Sequence, residues 1–279
     1  MRGPECRDQN RCVDALTNFT SGILSPVLPI LVAPFIGSFL GVLIVRLPAG
    51  RPIATGRSVC DHCGHRLGVR DLIPFVSYAM SKGRCRHCGQ AIGSFPIMIE
   101  LAALAVAGWA ATMAAGNEIW LACLLGWALL TAAWIDIRTM ILPDALTLPL
   151  LAAGLIVTAV TDPDSLTDHA VAAALGYLLL FATARAYRVL RGRDGLGLGD
   201  AKLLAALGAW IGLSNLPVVL LLASCLGLAA AGAGLLFGKR VTAATAIPFG
   251  PFLALAGWLA WLYADWFNRW LGDVAFGYS

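Results

Sequence analysis

Long apolar segments separated by short polar stretches dominate the hydrophobic pattern along the chain. Most approach the roughly 20 residues that a helix needs to cross a bilayer. The sixth segment is short and is separated from the seventh by Ser214, Asn215 and Pro217, so this pair could form a re-entrant hairpin. We predict an all-α polytopic membrane protein with about eight transmembrane helices. The segments lie at roughly 22–45, 97–116, 119–135, 144–161, 168–190, 200–213, 216–237 and 247–270.

The overall composition supports a membrane protein. Hydrophobic residues make up 59% of the chain, charged residues only 13%, and the mean hydropathy is +0.78. A soluble domain has about a quarter charged residues, so a soluble globular protein is excluded. The net charge of +4 does not indicate nucleic-acid binding, because the basic residues flank apolar segments that membrane lipid surrounds. The first twenty residues lack an apolar centre and do not resemble a cleavable signal peptide.

The positions of the basic residues predict the orientation of the chain. With both termini outside, sixteen of the 20 basic residues fall on the cytoplasmic side, as the positive-inside rule requires. The acidic turn with Asp162, Asp164 and Asp168 falls outside, and the neighbouring His169 is expected to be solvated there.

This topology divides the chain into five parts. We expect an extracytoplasmic tail at 1–21, a first transmembrane helix at 22–45 and a cytoplasmic cysteine module at 46–96. A seven-helix membrane domain at 97–270 and a C-terminal tail at 271–279 follow.

Four cysteines in the polar stretch between the first two segments form two short-spaced pairs. Cys60 and Cys63 make the first pair, and Cys85 and Cys88 the second. Such pairs can bring four thiolates around one tetrahedral Zn²⁺. Two disulfides are the alternative, which a cytoplasmic location opposes. A closed four-thiolate site would be structural and would hold together a small loop-rich module.

Histidines also occur in the module, but four thiols already complete the coordination of one ion. We therefore expect the histidines to be solvated or to lie near the ion without binding it. They are His62, His65 and His87.

Two aspartates border apolar segments, where ionisable groups are costly and usually functional. Asp136 ends the third segment and Asp200 opens the sixth, on the same predicted side. Alone, Asp200 could cap a helix and Asp136 could be a solvated helix-end charge. Two carboxylates held together tend to share one proton, so one can activate water while the other polarises a scissile carbonyl. The spacing does not establish that they meet.

Three further charged residues have structural alternatives. Asp144 follows Pro143 and could cap the fourth helix or support the aspartate pair. Lys202 could bias Asp200 electrostatically or extend its amine to the interface. Glu100, at the start of the second segment, could sit near a helix N-terminus or bind the terminus of a substrate.

Several strings in the chain resemble those of the prepilin peptidases and occur in the same order. The resemblance spans about residues 34 to 255, and the combination of strings is far more specific than the Gly-x-Gly-Asp motif alone. The strings are GSFLGVLIVRLP, the two cysteine pairs, FPIMIE, IDIRTMILPD with ALTLPL, GLGLGDAKLLAALGAWIG and IPFGPF.

The resemblance implies an intramembrane aspartic protease of the bacterial inner membrane with Asp136 and Asp200 as its catalytic residues. It implies substrates that are prepilins or pseudopilins, cut at the cytoplasmic face between a basic leader ending in Gly and an apolar helix. It also implies a second activity, N-methylation of the new terminus with S-adenosylmethionine. Gly41 stands where the family commonly has Asn, which removes an amide donor and acceptor from a place associated with the module.

Two other function classes remain open at this point. The apolar segments and their acidic residues also fit a proton-coupled transporter, although transporter sites usually lie near the midplane. A catalytically inactive assembly factor that presents the zinc module to partners is the other alternative. The sequence does not indicate an oligomeric state.

Overall fold

The chain folds into a bundle of long apolar helices in a computed structural model. The structure describes residues 9–53, 58–60, 62–71, 73–192, 197–237, 248–264 and 266–267; the side chains of 9–25 and of Val69 are outside this description. Residues 1–8 of the predicted tail at 1–21, and all of the predicted tail at 271–279, lie outside the described part, whereas the backbone of 9–21 is helical. Within that part there is no β-sheet, only two isolated bridges.

Eight α-helices and two short 3-10 turns follow one another in the described residues. The 3-10 turns are Val69–Asp71 and Pro163–Ser165. The helices are α1 Gln9–Arg46, α2 Val76–Ser81, α3 Phe95–Met113, α4 Glu118–Thr139, α5 Asp144–Thr161, α6 Leu166–Arg191, α7 Leu198–Leu236 and α8 Gly250–Leu262.

The predicted all-α membrane architecture is confirmed, with a different division of the segments. Six helices of the described chain are long and apolar enough to cross a membrane, and α8 is a shorter apolar helix. The predicted sixth and seventh segments both belong to α7. A straight helix of its 39 residues would be about 58 Å long, almost twice the roughly 30 Å hydrocarbon layer.

Helix α7 is interrupted within its length at Gly212, whose φ of 73° is left-handed. This conformation favours glycine, so the break lies there and not at the predicted Ser214 to Pro217. Two side chains at the start of α6 contact the main-chain groups that the break leaves without a partner within the helix. Asp168 accepts the N–H of Leu213 at 2.9 Å, and His169 Nδ1 lies 2.9 Å from the carbonyl of Ala209. The expectation that His169 is merely solvated was wrong, because its ring nitrogen also lies 3.2 Å from the Thr158 hydroxyl and is thus held by two groups of the protein.

The helices pack in two connected groups. Helix α1 contacts α3 and α4, α4 contacts α8, and α7 contacts α5, α6 and α8. Buried indole N–H groups satisfy carbonyls of neighbouring helices, which is favourable where no water is present. These hydrogen bonds run from Trp127 to Ala103, from Trp210 to Leu150 and from Trp258 to Ala122.

Candidate functional site

Asp136 lies in the last turn of α4 and is only 5% exposed. Its Oδ2 accepts a hydrogen bond of 3.1 Å from the N–H of Gly250, the first residue of α8. The first N–H groups of a helix have no partner within the helix and carry partial positive charge, so they favour a carboxylate at this place. Asp136 is therefore a buried, held side chain and not a solvated charge at a helix end.

Asp200 is the third residue of α7 and is 7% exposed. The capping position belongs to Gly197, whose carbonyl accepts the N–H of Asp200 at 3.2 Å, and no side chain caps this helix. The alternative in which Asp200 serves as the helix cap is therefore wrong. Its carboxylate is buried without a capping role.

The structure brings the two aspartates to the same end of the bundle. Their carboxylates lie close enough to interact electrostatically. The segments that carry them also touch: a Cβ added to Gly199 would stand 2.8 Å from the Cβ of Leu142. Helices α4 and α7 thus supply the carboxylates, and α8 supplies a main-chain donor.

An ion pair flanks the aspartates on the side of α5. Lys202 Nζ lies 2.5 Å from Oδ1 of Asp144, the first residue of α5. Asp144 makes no side-chain cap, since the capping position is Pro143. The pair joins the start of α5 to the start of α7, so the expected helix cap and interface lysine are instead partners of each other.

The cysteine pairs lie in two equivalent hairpin turns. In the first turn, Gly64 N–H bonds to the carbonyl of Cys60, and Cys60 N–H bonds to the carbonyl of His65, both at 2.9 Å. The second turn repeats this pattern between Cys85, Gly89 and Gln90 at 2.9 and 2.8 Å. Both turn glycines have positive φ, 68° and 71°, as the tight-turn prediction requires.

The hairpins bring all four cysteine sulfurs together. The Sγ atoms of Cys60, Cys63, Cys85 and Cys88 lie within 4.8 Å of one another, and those of Cys60 and Cys88 are 3.9 Å apart. Sulfurs around a tetrahedral Zn²⁺ at about 2.3 Å would be separated by about 3.8 Å. These four thiols are free and form no disulfide. The donor set and its spacing fit zinc.

Main-chain groups favour the thiolate form of Cys85, whereas desolvation and the neighbouring thiols raise the pKa of Cys88 to about 11. N–H groups of Cys88 and His87 lower the pKa of the Cys85 thiol to about 7, because they donate hydrogen bonds to its sulfur. Among the described residues, no histidine joins the four-sulfur cluster. The rings of His65 and His87 instead pack together with centroids 3.6 Å apart.

Two site contacts were missed by sequence reasoning. One is the Gly250 N–H on Asp136; the Gly-Pro sequence that starts α8 was its only local signal. The other is Glu100, 6% exposed, which accepts the N–H of Phe75 at 2.9 Å and thereby ties α3 to the module. Glu100 is the sixth residue of α3, beyond the N-terminal turn that was one of its expected places.

Two family models match separate parts of the chain. A model of the type IV leader peptidase family matches residues 123–232, which hold both aspartates. A model of the bacterial peptidase A24 N-terminal domain matches residues 31–114, which hold the four cysteines.

Several curated relatives are similar over most of the chain, and each is described as a prepilin leader peptidase/N-methyltransferase. The Aeromonas hydrophila protein is 40% identical over 260 residues, covering 84% of this chain and 89% of the relative. The Burkholderia pseudomallei strain 1026b protein is 41% identical, with 80% of each covered. The Pseudomonas aeruginosa protein is 37% identical, with 86% and 91% covered. No solved structure matches the chain significantly.

Proposed function

Because the chain belongs to the prepilin leader peptidase/N-methyltransferase family, we propose that Asp136 and Asp200 are the catalytic pair that removes the leader of prepilins or pseudopilins. What supports this proposal is that two buried carboxylates from separate helices lie at one end of the bundle, within electrostatic reach of each other. The relatives are peptidases, which favours this function over the transporter alternative.

The chemistry requires only these two side chains and water. When two carboxylates share one proton, the ionised member takes a proton from water while the protonated member donates a hydrogen bond to the scissile carbonyl oxygen. The N–H of Gly250 fixes the Asp136 carboxylate, so one member of the pair is oriented before the substrate arrives. Burial excludes bulk water that would weaken these interactions.

We place the reaction at the cytoplasmic face of the bacterial inner membrane. Both aspartates lie near helix ends, on the side to which the positive-inside rule assigns the module. A basic leader would stay in the cytoplasm while the apolar helix of the substrate remains in lipid, so the bond between them meets the aspartates at the boundary.

The four cysteines would hold one structural Zn²⁺. A closed tetrahedral thiolate site has no open position for a substrate, so the ion would fix the two hairpins and take no part in peptide hydrolysis. Among the described residues of the module, Cys85 alone is a buried hydrophobic residue, so little core holds these turns in place and a metal is a suitable crosslink.

The experiment is co-expression of full-length protein with a tagged prepilin, followed by intact-mass measurement of the pilin. Asp136→Asn and Asp200→Asn should each abolish leader removal while the protein remains inserted in the membrane. Asp164→Asn is the matched control, because Asp164 is an exposed aspartate at the opposite predicted face. Full leader removal by either dyad variant would refute the assignment.

The same measurement reports the second activity proposed here, methylation of the new N-terminus. S-adenosylmethionine would supply an electrophilic methyl group. The gain of one methyl on the shortened pilin would support this activity.

A further inference from the structure

A cavity of about 410 Å³ lies between α1, the cysteine module and α3. Its volume falls within the range of small-molecule sites. Neither Asp136 nor Asp200 lines it, and its walls come from the region that matches the N-terminal domain model. The cavity is therefore distinct from the proposed peptidase site.

Glu100 places a buried carboxylate in the wall of this cavity. The residue is 6% exposed, and its described contact is the N–H of Phe75. Within the described residues, no cationic side chain forms an ion pair with it. The other acidic residue of the wall, Asp71, is paired with Arg86 at 3.4 Å. A buried carboxylate with a single neutral donor is costly, so Glu100 is suited to a cation that enters the cavity.

The rest of the wall complements a larger, mixed ligand. Arg51 and Arg84 can meet a carboxylate, whereas Tyr78, Phe95 and the ring of His87 offer flat surfaces to a heterocycle. A small molecule that combines a cationic centre, a carboxylate and an aromatic base would use all three features.

We infer that this cavity binds S-adenosylmethionine and that Glu100 opposes the positive charge of its sulfonium. The inference rests on the proposed methyltransferase function and assigns it a place in the molecule. In the reaction, the neutral amine of the new N-terminus attacks the methyl carbon. The C–S bond breaks with its electron pair going to sulfur, and the methylated ammonium releases its proton to water. The sulfonium becomes a neutral thioether, so Glu100 favours the methyl donor over its product.

The cavity adjoins the end of α4 that carries Asp136. Val45 lines both this cavity and a neighbouring depression that Arg138 and Thr139 also line. The guanidinium of Arg138 lies 4.6 Å from the centroid of the Phe95 ring, which forms part of the cavity wall. A terminus released near Asp136 would therefore have a short route to the methyl donor.

Gly41 also lies in the wall of the cavity. A Cβ at this position would meet only a carbon of Phe95, at 4.0 Å. There is room for a larger side chain to enter the cavity, so Gly41→Phe should obstruct it while leaving the helix intact.

Isothermal titration of the purified full-length protein with S-adenosylmethionine and with S-adenosylhomocysteine, which lacks the sulfonium charge, tests the inference. The wild type should bind the methyl donor at least tenfold more tightly than the product, and Glu100→Gln should abolish this preference. The Gln amide oxygen can still accept the N–H of Phe75, so the loop should stay docked. Glu118→Gln is the control, because Glu118 is exposed at the start of α4 and both affinities should be unchanged.

Gly41→Phe should lose binding of both ligands by at least tenfold, while its thermal unfolding midpoint stays close to that of the wild type. The inference is overturned if Glu100→Gln binds the methyl donor as tightly as the wild type or if Gly41→Phe binds both ligands normally. It is also overturned if Glu100→Gln weakens only a peptide with the mature pilin N-terminus, since Glu100 would then face the acceptor. Leader removal by the same preparations shows whether the peptidase proposal holds independently.

Discussion

Replacing Gly250 by alanine should impair peptide hydrolysis while preserving the fold. A Cβ at this position would stand 2.7 Å from Oδ2 of Asp136 and 3.1 Å from its Cγ, whereas ordinary van der Waals contacts begin at 3.4 Å. The carboxylate must therefore move by about 0.7 Å, the difference between the two distances, which would also disturb its 3.1 Å bond to the Gly250 N–H.

The expected loss of activity follows from this displacement. Misplacing a reacting group by about 1 Å can reduce a rate about 100-fold, so we expect kcat/KM for leader removal to fall roughly 10- to 100-fold. The backbone of Gly250 does not have a positive φ, and alanine is a better helix former by about 1 kcal/mol. The thermal unfolding midpoint should accordingly be unchanged or slightly raised.

The assay is leader cleavage in proteoliposomes, with initial rates measured at several prepilin concentrations. Gly227→Ala is the matched control, because its added Cβ would meet Phe252 of α8 at an ordinary 3.5 Å. Equal kcat/KM values for Gly250→Ala and Gly227→Ala would show that the contact with Asp136 has no part in catalysis.

Three further predictions address the surroundings of the site. Cys60→Ser should lower the zinc content measured by elemental analysis, and an unchanged content would remove the zinc assignment. Asp168→Ala should destabilise the protein by about 1 kcal/mol, since it removes the acceptor for the second half of α7; an unaltered thermal midpoint would contradict this. Lys202→Gln and Asp144→Asn should show a coupling of no more than about 1 kcal/mol in a double-mutant cycle, and a larger coupling would mean that the pair is more than a surface contact.

The hydrophobic pattern was sufficient to predict the helices, but it did not predict the residue at which α7 is interrupted. Apolar segments of bilayer length predicted the helical bundle because lipid requires main-chain hydrogen bonds to close within each segment. The interruption was expected at Ser214 to Pro217 but occurs at Gly212. Polar and proline residues signalled a break in this region, whereas the break itself lies at the residue that tolerates the left-handed conformation.

The cysteine cluster was predictable because its chemistry is local. Two short-spaced pairs, each followed by a turn glycine, already specify a tight turn with two thiols, and the observed hairpins follow that pattern. The predicted partition of the chain into tails, module and membrane domain stays a prediction.

The partners of the aspartates could not be predicted in the same way. Gly250 and Asp136 are 114 positions apart, and Lys202 and Asp144 are 58 apart. Such contacts depend on how whole helices pack against one another, and the hydrophobic periodicity of the sequence does not predict that packing. The importance of Asp136 and Asp200 could be anticipated because charged side chains are rare in apolar segments, but the donor from α8 is a main-chain group that any residue type could provide.

Zinc held by the twin cysteine hairpins, as proposed above, would link metal supply to the proposed methyl-donor pocket. Cys60 and Cys85 form part of that pocket's lining, whereas the N–H that holds Asp136 comes from a helix far away in the chain. A bacterium starved of zinc should therefore continue to trim its pilins for some time but export subunits that lack the methyl mark.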